Sequence, residues 1–357
     1  MPTPALPRNA DDVSVPWIAS LLDYLGHDAS VTSALIEPIG TGQMASSLRV
    51  RPTYAHASAS TPSSFVLKMA SNDENSRAAG ARGAYLKEVR FYQQLSQHLD
   101  VATPAALWSG IDVETSDFAI ALEDMNPAQQ GDQIRGCGVD ELQAATRNIA
   151  ALHAPHWCDE SLFDMDWLTV ARHERAAGAR ELQIIVAAVT PGFVDRYRDR
   201  IDDRQIDLLQ WFAETCEEWV LDDGGRFGLT HCDHRLDNLL FNASDADRPV
   251  TVVDWQTVAV RNPVTDMSYL LGTSVEPEVR REIERPTLEV YHAQLLSRGV
   301  DNYSFEACWD DYRRQSPHSL LLTVMGSMLT VQTNRGDDMF MAMLRRSSEQ
   351  IADLDAR

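Results

Sequence analysis

The chain has 357 residues, 44% hydrophobic and 24% charged, an ordinary globular composition long enough for one large domain or two lobes. A formal net charge of −22 excludes electrostatic attraction to nucleic acid or anionic lipid and leaves cationic or metal-complexed partners open. The five cysteines are scattered with no CxxC pair, which points to reduced cytosolic thiols and excludes a disulfide frame.

The opening MPTPALPRNADD has neither the basic nor the apolar region of a signal peptide, so a cytoplasmic protein is expected. VPWIASLLDYLG (15–26) has helical apolar spacing and closes on Gly26. ALIEPIGTGQMASSLRVRP alternates around a glycine pair, as two strands joined by a turn would. After the short polar segment AHASASTPS, SFVLKMAS reads as a third strand with one lysine, Lys68, inside it. ARGAYLKEVRFYQQLSQHL (81–99) places Tyr85, Val89, Tyr92, Leu95 and Leu99 at helical spacing. DFAIALEDMNP (117–127) is a strand that stops at a proline.

Beyond it the pattern predicts helices at 139–154, roughly 182–220, 277–298 and 304–334, interrupted by a hairpin of NLLFN and VTVVDW. The apolar run at 319–331 is broken by Thr, Gly and Ser. It is shorter than the roughly 20 residues of a bilayer span, so a buried helix is expected and no membrane insertion. The simplest organisation is two lobes joined near Met125–Pro127, with residues 1–125 β-rich and 126–357 mostly helical.

The densest polar cluster is LTHCDHRLDNLLF (229–241), and three readings of it compete. As a metal site, His231, Asp233 and His234 resemble the tail of the HxHxDH signature of the metallo-β-lactamase fold. Leu229 stands where that signature's first His belongs, and a hydrolytic zinc needs three or more ligands. As a capped turn, the stretch accounts for Asp237 but not for Asp254, which ends the apolar strand VTVVDW. As a phosphoryl-transfer loop, HxDxxxxN supplies a carboxylate to take the acceptor's hydroxyl proton (Asp233) and an amide for Mg²⁺ (Asn238). The following hairpin then delivers a second carboxylate for the metal, Asp254.

With VVDWQTVAVRNPVTDMSYLLG and ACWDDYRRQ, and with FAIALEDM, YLKEVRFYQQL and AALHAPHW in support, this loop resembles the aminoglycoside phosphotransferase and choline kinase superfamily. The likeness runs from about Gly40 to Arg313, and the nearest subgroup is the ecdysteroid-kinase-like proteins. It implies an α+β, bilobal protein-kinase-like fold: a small β-rich N-lobe with one key helix, binding the nucleotide, and a larger, mostly helical C-lobe with the catalytic loop and acceptor site. It also implies ATP and Mg²⁺ as cofactors and a small-molecule hydroxyl as acceptor.

A kinase site needs a lysine on the third strand for the α- and β-phosphates and a helical glutamate to orient it. Lys68 fits, the alternative being an edge-strand lysine in solvent, and Glu88 fits, the alternative being an exposed helix glutamate. IGTGQMASS (39–47), with Gly40 and Gly42, is the candidate phosphate-covering loop. By resemblance Ser46 or Ser47 contacts phosphate, backbone groups of Glu123 and Met125 hold adenine, and Asp266 and His231 brace the catalytic loop.

Two positions depart from the family: Cys232 stands where glycine is usual, and Gln256 where antibiotic kinases carry an acid. The latter is why the ecdysteroid-kinase-like subgroup is favoured. Nothing after Asp266 resembles an activation segment ending in A-P-E, which argues against a protein kinase. The rival functions are a nucleotide-binding pseudokinase and an aminoglycoside-type antibiotic kinase. ELQIIVAAVTPGFVDRY (181–197), with Trp157, Trp167 and Phe193, predicts either an apolar pocket for a lipophilic alcohol or simply core of the helical lobe.

Overall fold

The computed structural model describes residues 3–40, 44–168 and 174–357, apart from the side chains of Asn75 and Ala79. The chain is α+β and divides into two compact units, residues 1–97 with 103–127, and 98–102 with 128–357.

In the first unit, helix α1 (Val15–Tyr24) is capped by the Ser14 hydroxyl, which accepts from the Trp17 N–H at 3.4 Å. The chain leaves α1 through Gly26, at φ 79°, a conformation that glycine adopts without steric cost. Strands β1 (Ala29–Ile39), β2 (Ala45–Ala57) and β3 (Phe65–Ala70) follow, then the short helices α2 (Glu74–Ala79) and α3 (Tyr85–Arg90). Strands β4 (Ala106–Ile111) and β5 (Phe118–Glu123) complete an antiparallel sheet in the order β1-β2-β3-β5-β4. Lys68 pairs with Ser47 of β2 and Ile120 of β5, so it lies on a central strand, and the edge-strand alternative is overturned.

The alternation of β3 does the sorting. Phe65, Leu67 and Met69 join Trp17, Ile18 and Leu21 in one core, while Lys68 turns to the other face, where α3 lies. Helix 81–99 is expected as one piece; instead the backbone kinks at Gly83, φ 118°, before α3, then continues in a wider helical turn at Phe91–Leu95.

The second unit begins with the two-residue strand β6 (Gln129–Gln130) and α4 (Val139–His153), followed by α5 (Arg175–Tyr197) and α6 (Asp203–Leu221). Four short strands come next: β7 (Gly228–Thr230), β8 (Leu239–Phe241), β9 (Val250–Val252) and β10 (Ala259–Arg261). They form a β10-β7 pair and a β6-β8-β9 sheet, and the expected hairpin is the antiparallel β8–β9 pair. Helices α7 (Val264–Ser274), α8 (Pro277–Ser297), α9 (Phe305–Gln315), α10 (His318–Leu329) and α11 (Asn334–Asp353) close the chain.

The helix expected at 182–220 is two helices, because Asp202 accepts from the Gln205 N–H and starts α6 with a capping box. The one expected at 304–334 likewise breaks before α10, at Ser316 and Pro317. The apolar run of α10 is buried: Leu320, Leu321 and Val324 pack in the core with residues of α5, α6 and α11. Phe193 lies in that same core, which favours the core alternative for this residue; its ring packs on Tyr197 with centroids 4.8 Å apart. Among the described residues no helix is long and apolar enough to cross a membrane.

Candidate active site

The first unit supplies a buried ion pair. Lys68 Nζ donates to Glu88 Oε1 at 2.8 Å, with the two side chains 11% and 1% exposed. An unpaired ammonium on a central strand would be costly, and Glu88, on the buried face of α3, offsets that cost. The tilt of α3 is fixed nearby by Tyr85, whose ring packs on Phe118 at 4.4 Å and whose hydroxyl donates to the Met44 carbonyl at 2.5 Å. Gly40 ends the β1 segment at φ +77°, and Ser46 and Ser47 pair with Met69 and Lys68 in the β2–β3 register. Gly42 lies outside the described residues. Glu123, at the end of β5, exchanges hydrogen bonds with Ala105: its N–H donates to the Ala105 carbonyl at 2.8 Å, and Oε2 accepts from the Ala105 N–H at 3.3 Å. Met125 follows, half-buried, two residues on.

The second unit holds the polar loop between β7 and β8, and Asp266 of α7 organises its main chain. Asp266 Oδ2 accepts from the His231 N–H and Oδ1 from the Cys232 N–H, both at 2.8 Å, while His153 Nε2 lies 3.0 Å from Oδ2. Burial raises the Asp266 carboxyl, but the hydrogen bond and charge of His153 carry it down to about 2. The other nitrogen of His153 meets the Tyr291 hydroxyl at 2.7 Å, extending the brace to α8.

His231 Nε2 donates to the Val253 carbonyl at 3.1 Å, which leaves Nδ1 to accept from the Asp233 N–H at 3.3 Å. Both ring nitrogens are therefore committed, which removes His231 as a zinc ligand. His234 is fully buried with no hydrogen-bond partner of good geometry among the described residues, and burial pushes it down to about 3, so it is neutral. Among the described residues no group of three His, Cys, Asp or Glu is placed to hold a metal, and the metallohydrolase reading is withdrawn.

Cys232 sits at φ 65°, which explains why glycine is usual there. The strained residue is held from both sides, its N–H by Asp266 and its carbonyl by His318 Nε2 at 2.7 Å. Gln256, the other departure, is buried one residue past Trp255, whose ring packs on His231 at 4.8 Å.

Asp233 projects from the loop with its side chain 16% exposed. Its carboxylate accepts from Asn238 Nδ2 at 2.8 Å, from Arg235 Nε at 3.1 and 3.3 Å, and from the Tyr269 hydroxyl at 3.1 Å. Burial raises its pKa, opposed by the Arg235 charge and reinforced by Asp254. Asn238 Nδ2 also donates to the Asp233 carbonyl at 2.9 Å, so the amide nitrogen is spent within the loop and its oxygen is left as an acceptor. Asp254 is brought beside Asn238 by the backbone: the Val253 N–H donates to the Asn238 carbonyl at 3.0 Å, and Asp254 then turns at φ 70°. One amide oxygen and one carboxylate are hard donors that suit Mg²⁺, which typically takes one or two carboxylates and completes its shell with phosphate and water.

Arg235, Arg335, His153 and Tyr269 carried no role in the sequence reading, and Asp237 was read only as a turn cap. Arg235 bridges Asp233 and Asp237, lying 3.0 Å from Asp237 Oδ2, and Arg335 grips Asp237 with two bonds of 2.9 and 3.0 Å. Arg235 and Asp237 stand inside the motif and could have been found there. His153 and Tyr269 reach the loop from α4 and α7, and the one available signal for Tyr269 is its place one helical turn after Asp266.

The sequence model of the phosphotransferase enzyme family (APH) matches residues 46–303, well over half of the chain. Among solved structures, the GDP complex of aminoglycoside 2'-phosphotransferase-IIIa aligns with a TM-score of 0.53 at 14% identity, covering 96% of this chain and 99% of that one. Ethanolamine kinase of Plasmodium vivax aligns at 0.54 and 10% identity, covering 88% and 82%. Choline kinase of Cryptosporidium parvum aligns at 0.54 and 12%, covering 90% of each chain. No sequence among curated proteins matches significantly. At such identities the structural likeness establishes a kinase-like fold, and the family match carries the enzyme class. The chain belongs to the APH phosphotransferase enzyme family, a family of small-molecule kinases.

Proposed function

We propose that this protein is an ATP- and Mg²⁺-dependent kinase that transfers the γ-phosphoryl group to a hydroxyl of a small molecule. The observation that carries the reading is the loop itself, in which Asp233 is held by three donors and the Val253 N–H, one residue before Asp254, bonds the Asn238 carbonyl. In the reaction the acceptor oxygen forms a bond to the γ-phosphorus, the bond to the β–γ bridging oxygen breaks, and ADP leaves. Asp233 takes the hydroxyl proton. Asn238 and Asp254 would hold Mg²⁺, which when bound neutralises charge on the phosphates. Lys68, oriented by Glu88, serves the α- and β-phosphates; Gly40 at the end of β1 and Ser46 at the start of β2 flank the segment that covers them, and backbone groups of Glu123 and Met125 hold the base. The nucleotide assignment is supported by the GDP complex of the structurally similar aminoglycoside phosphotransferase.

For the acceptor we propose a largely apolar alcohol. Both carboxylates at the head of the loop, Asp233 and Asp237, are paired to arginine, so neither is offered to an ammonium group. ADP release from Mg·ATP, measured with kanamycin and with a panel of lipophilic alcohols, tests this: the alcohols should be turned over faster. Efficient turnover of kanamycin would remove the acceptor assignment and leave the kinase chemistry standing.

A further inference from the structure

Three donors fix the Asp233 carboxylate, but they are not equivalent. Asn238 and Arg235 lie on the same loop as Asp233 and move with it. Tyr269 comes from α7, a helix in which every residue is buried. Among the described residues it is the one side chain from outside the loop that bonds the Asp233 carboxylate, at 3.1 Å. Its neighbour one turn earlier on α7, Asp266, bonds the loop's main chain at His231 and Cys232. The ring of Tyr269 is set edge-on against His318 at 5.3 Å, and His318 itself holds the Cys232 carbonyl. One rigid helix therefore references the loop twice, through backbone and through side chain. A buried tyrosine hydroxyl needs an acceptor, and facing a carboxylate it must donate. With Tyr269 on Oδ1, Asn238 on Oδ2 and Arg235 across both, the carboxylate plane is fixed.

We propose that Tyr269 is a positioning residue that aims the Asp233 carboxylate at the acceptor hydroxyl. This rests on the reading of Asp233 as the base, and it concerns orientation, not binding of nucleotide. A displacement of about 1 Å costs about 10²-fold in rate. Losing one donor of three, with the other two retained, is expected to cost about tenfold.

The test uses the full chain and Mg·ATP with water as the acceptor, read as ADP release, so that it does not depend on the natural alcohol. Wild type, Tyr269→Phe, Asp233→Asn and the double variant are compared. The expected result is a rate about tenfold lower for Tyr269→Phe at unchanged KM for ATP, and less than a twofold further loss when Tyr269→Phe is added to Asp233→Asn. Residues acting through one group are non-additive in this way, whereas a purely structural role lowers both backgrounds by the same factor. A Tyr269→Phe rate within twofold of wild type, a KM rising in step, or equal factors in both backgrounds would overturn the proposal. If Asp233→Asn itself keeps the wild-type rate, the base assignment falls and the proposal falls with it; if Asp233→Asn is inactive and Tyr269→Phe is normal, the positioning role alone is refuted. Should Tyr269→Phe fail to fold, 3-fluorotyrosine at position 269 keeps the shape and alters donor strength. Its rate must then differ from wild type in the Asp233 background and not in the Asn background, and identical rates overturn the proposal.

Discussion

Replacing Asp266 by asparagine keeps the volume of the side chain and removes the charge that accepts from two loop N–H groups and from His153. An asparagine oxygen can keep one N–H, while its NH₂ group faces the other as a second donor. A hydrogen bond to a charged group contributes about 1.5–3 kcal/mol, and a buried donor left unmade costs about 1–3 kcal/mol, so Asp266→Asn is expected to cost about 3–5 kcal/mol at pH 7. The pH dependence follows from the depressed pKa. Asp266 titrates at about 2 in the folded protein against an ordinary 3.8, so its contribution is present above pH 3.8 and is lost as pH falls toward 2. A depression of this size contributes a few kcal/mol, on the order of 1 kcal/mol of which is gone at pH 3. Urea denaturation followed by tryptophan fluorescence, for wild type and variant at pH 7 and pH 3, should show the stability gap narrowing by that amount. A variant within 1 kcal/mol of wild type at pH 7, or a gap that widens in acid, would refute the reasoning.

Glu88→Gln removes the carboxylate charge that orients the Lys68 ammonium and is expected to raise KM for ATP and lower kcat, each about threefold or more; unchanged steady-state constants would detach the pair from nucleotide handling. At Cys232, φ 65° costs a side chain about 1–2 kcal/mol. Cys232→Gly should therefore melt at or above the wild-type temperature and Cys232→Val, being β-branched, below it; the reverse order in a thermal melt would contradict the strain account.

What the sequence revealed was what is local. Asp233, Asn238 and Asp254 fall within one loop and the hairpin after it, and Lys68 stood out as a lone charge in an apolar strand. The side chains that support the loop were hidden because they are distant along the chain: Tyr269 bonds Asp233 from 36 residues away and His153 bonds Asp266 from 113. Helix α7, which carries both Asp266 and Tyr269, is buried on every side and so has no amphipathic stripe to read. β4 was missed because ALWSGI does not alternate, and Phe193 stayed ambiguous because an aromatic on an apolar helix looks the same whether it lines a pocket or fills a core. The ends of helices were misjudged where a cap or a proline, not the apolar period, decides: at Asp202 before α6 and at Pro317 before α10.

The central claim is that Asp233 accepts the acceptor proton during transfer from Mg·ATP. ADP release by Asp233→Asn, measured with the best alcohol from the acceptor panel and set beside ATP affinity from thermal shift, tests it most directly. Turnover should fall by about 10²–10⁴-fold while the stabilisation by Mg·ATP is retained. A near-normal rate in Asp233→Asn, or stabilisation of the wild type by Zn²⁺ and not by Mg·ATP, would contradict the account.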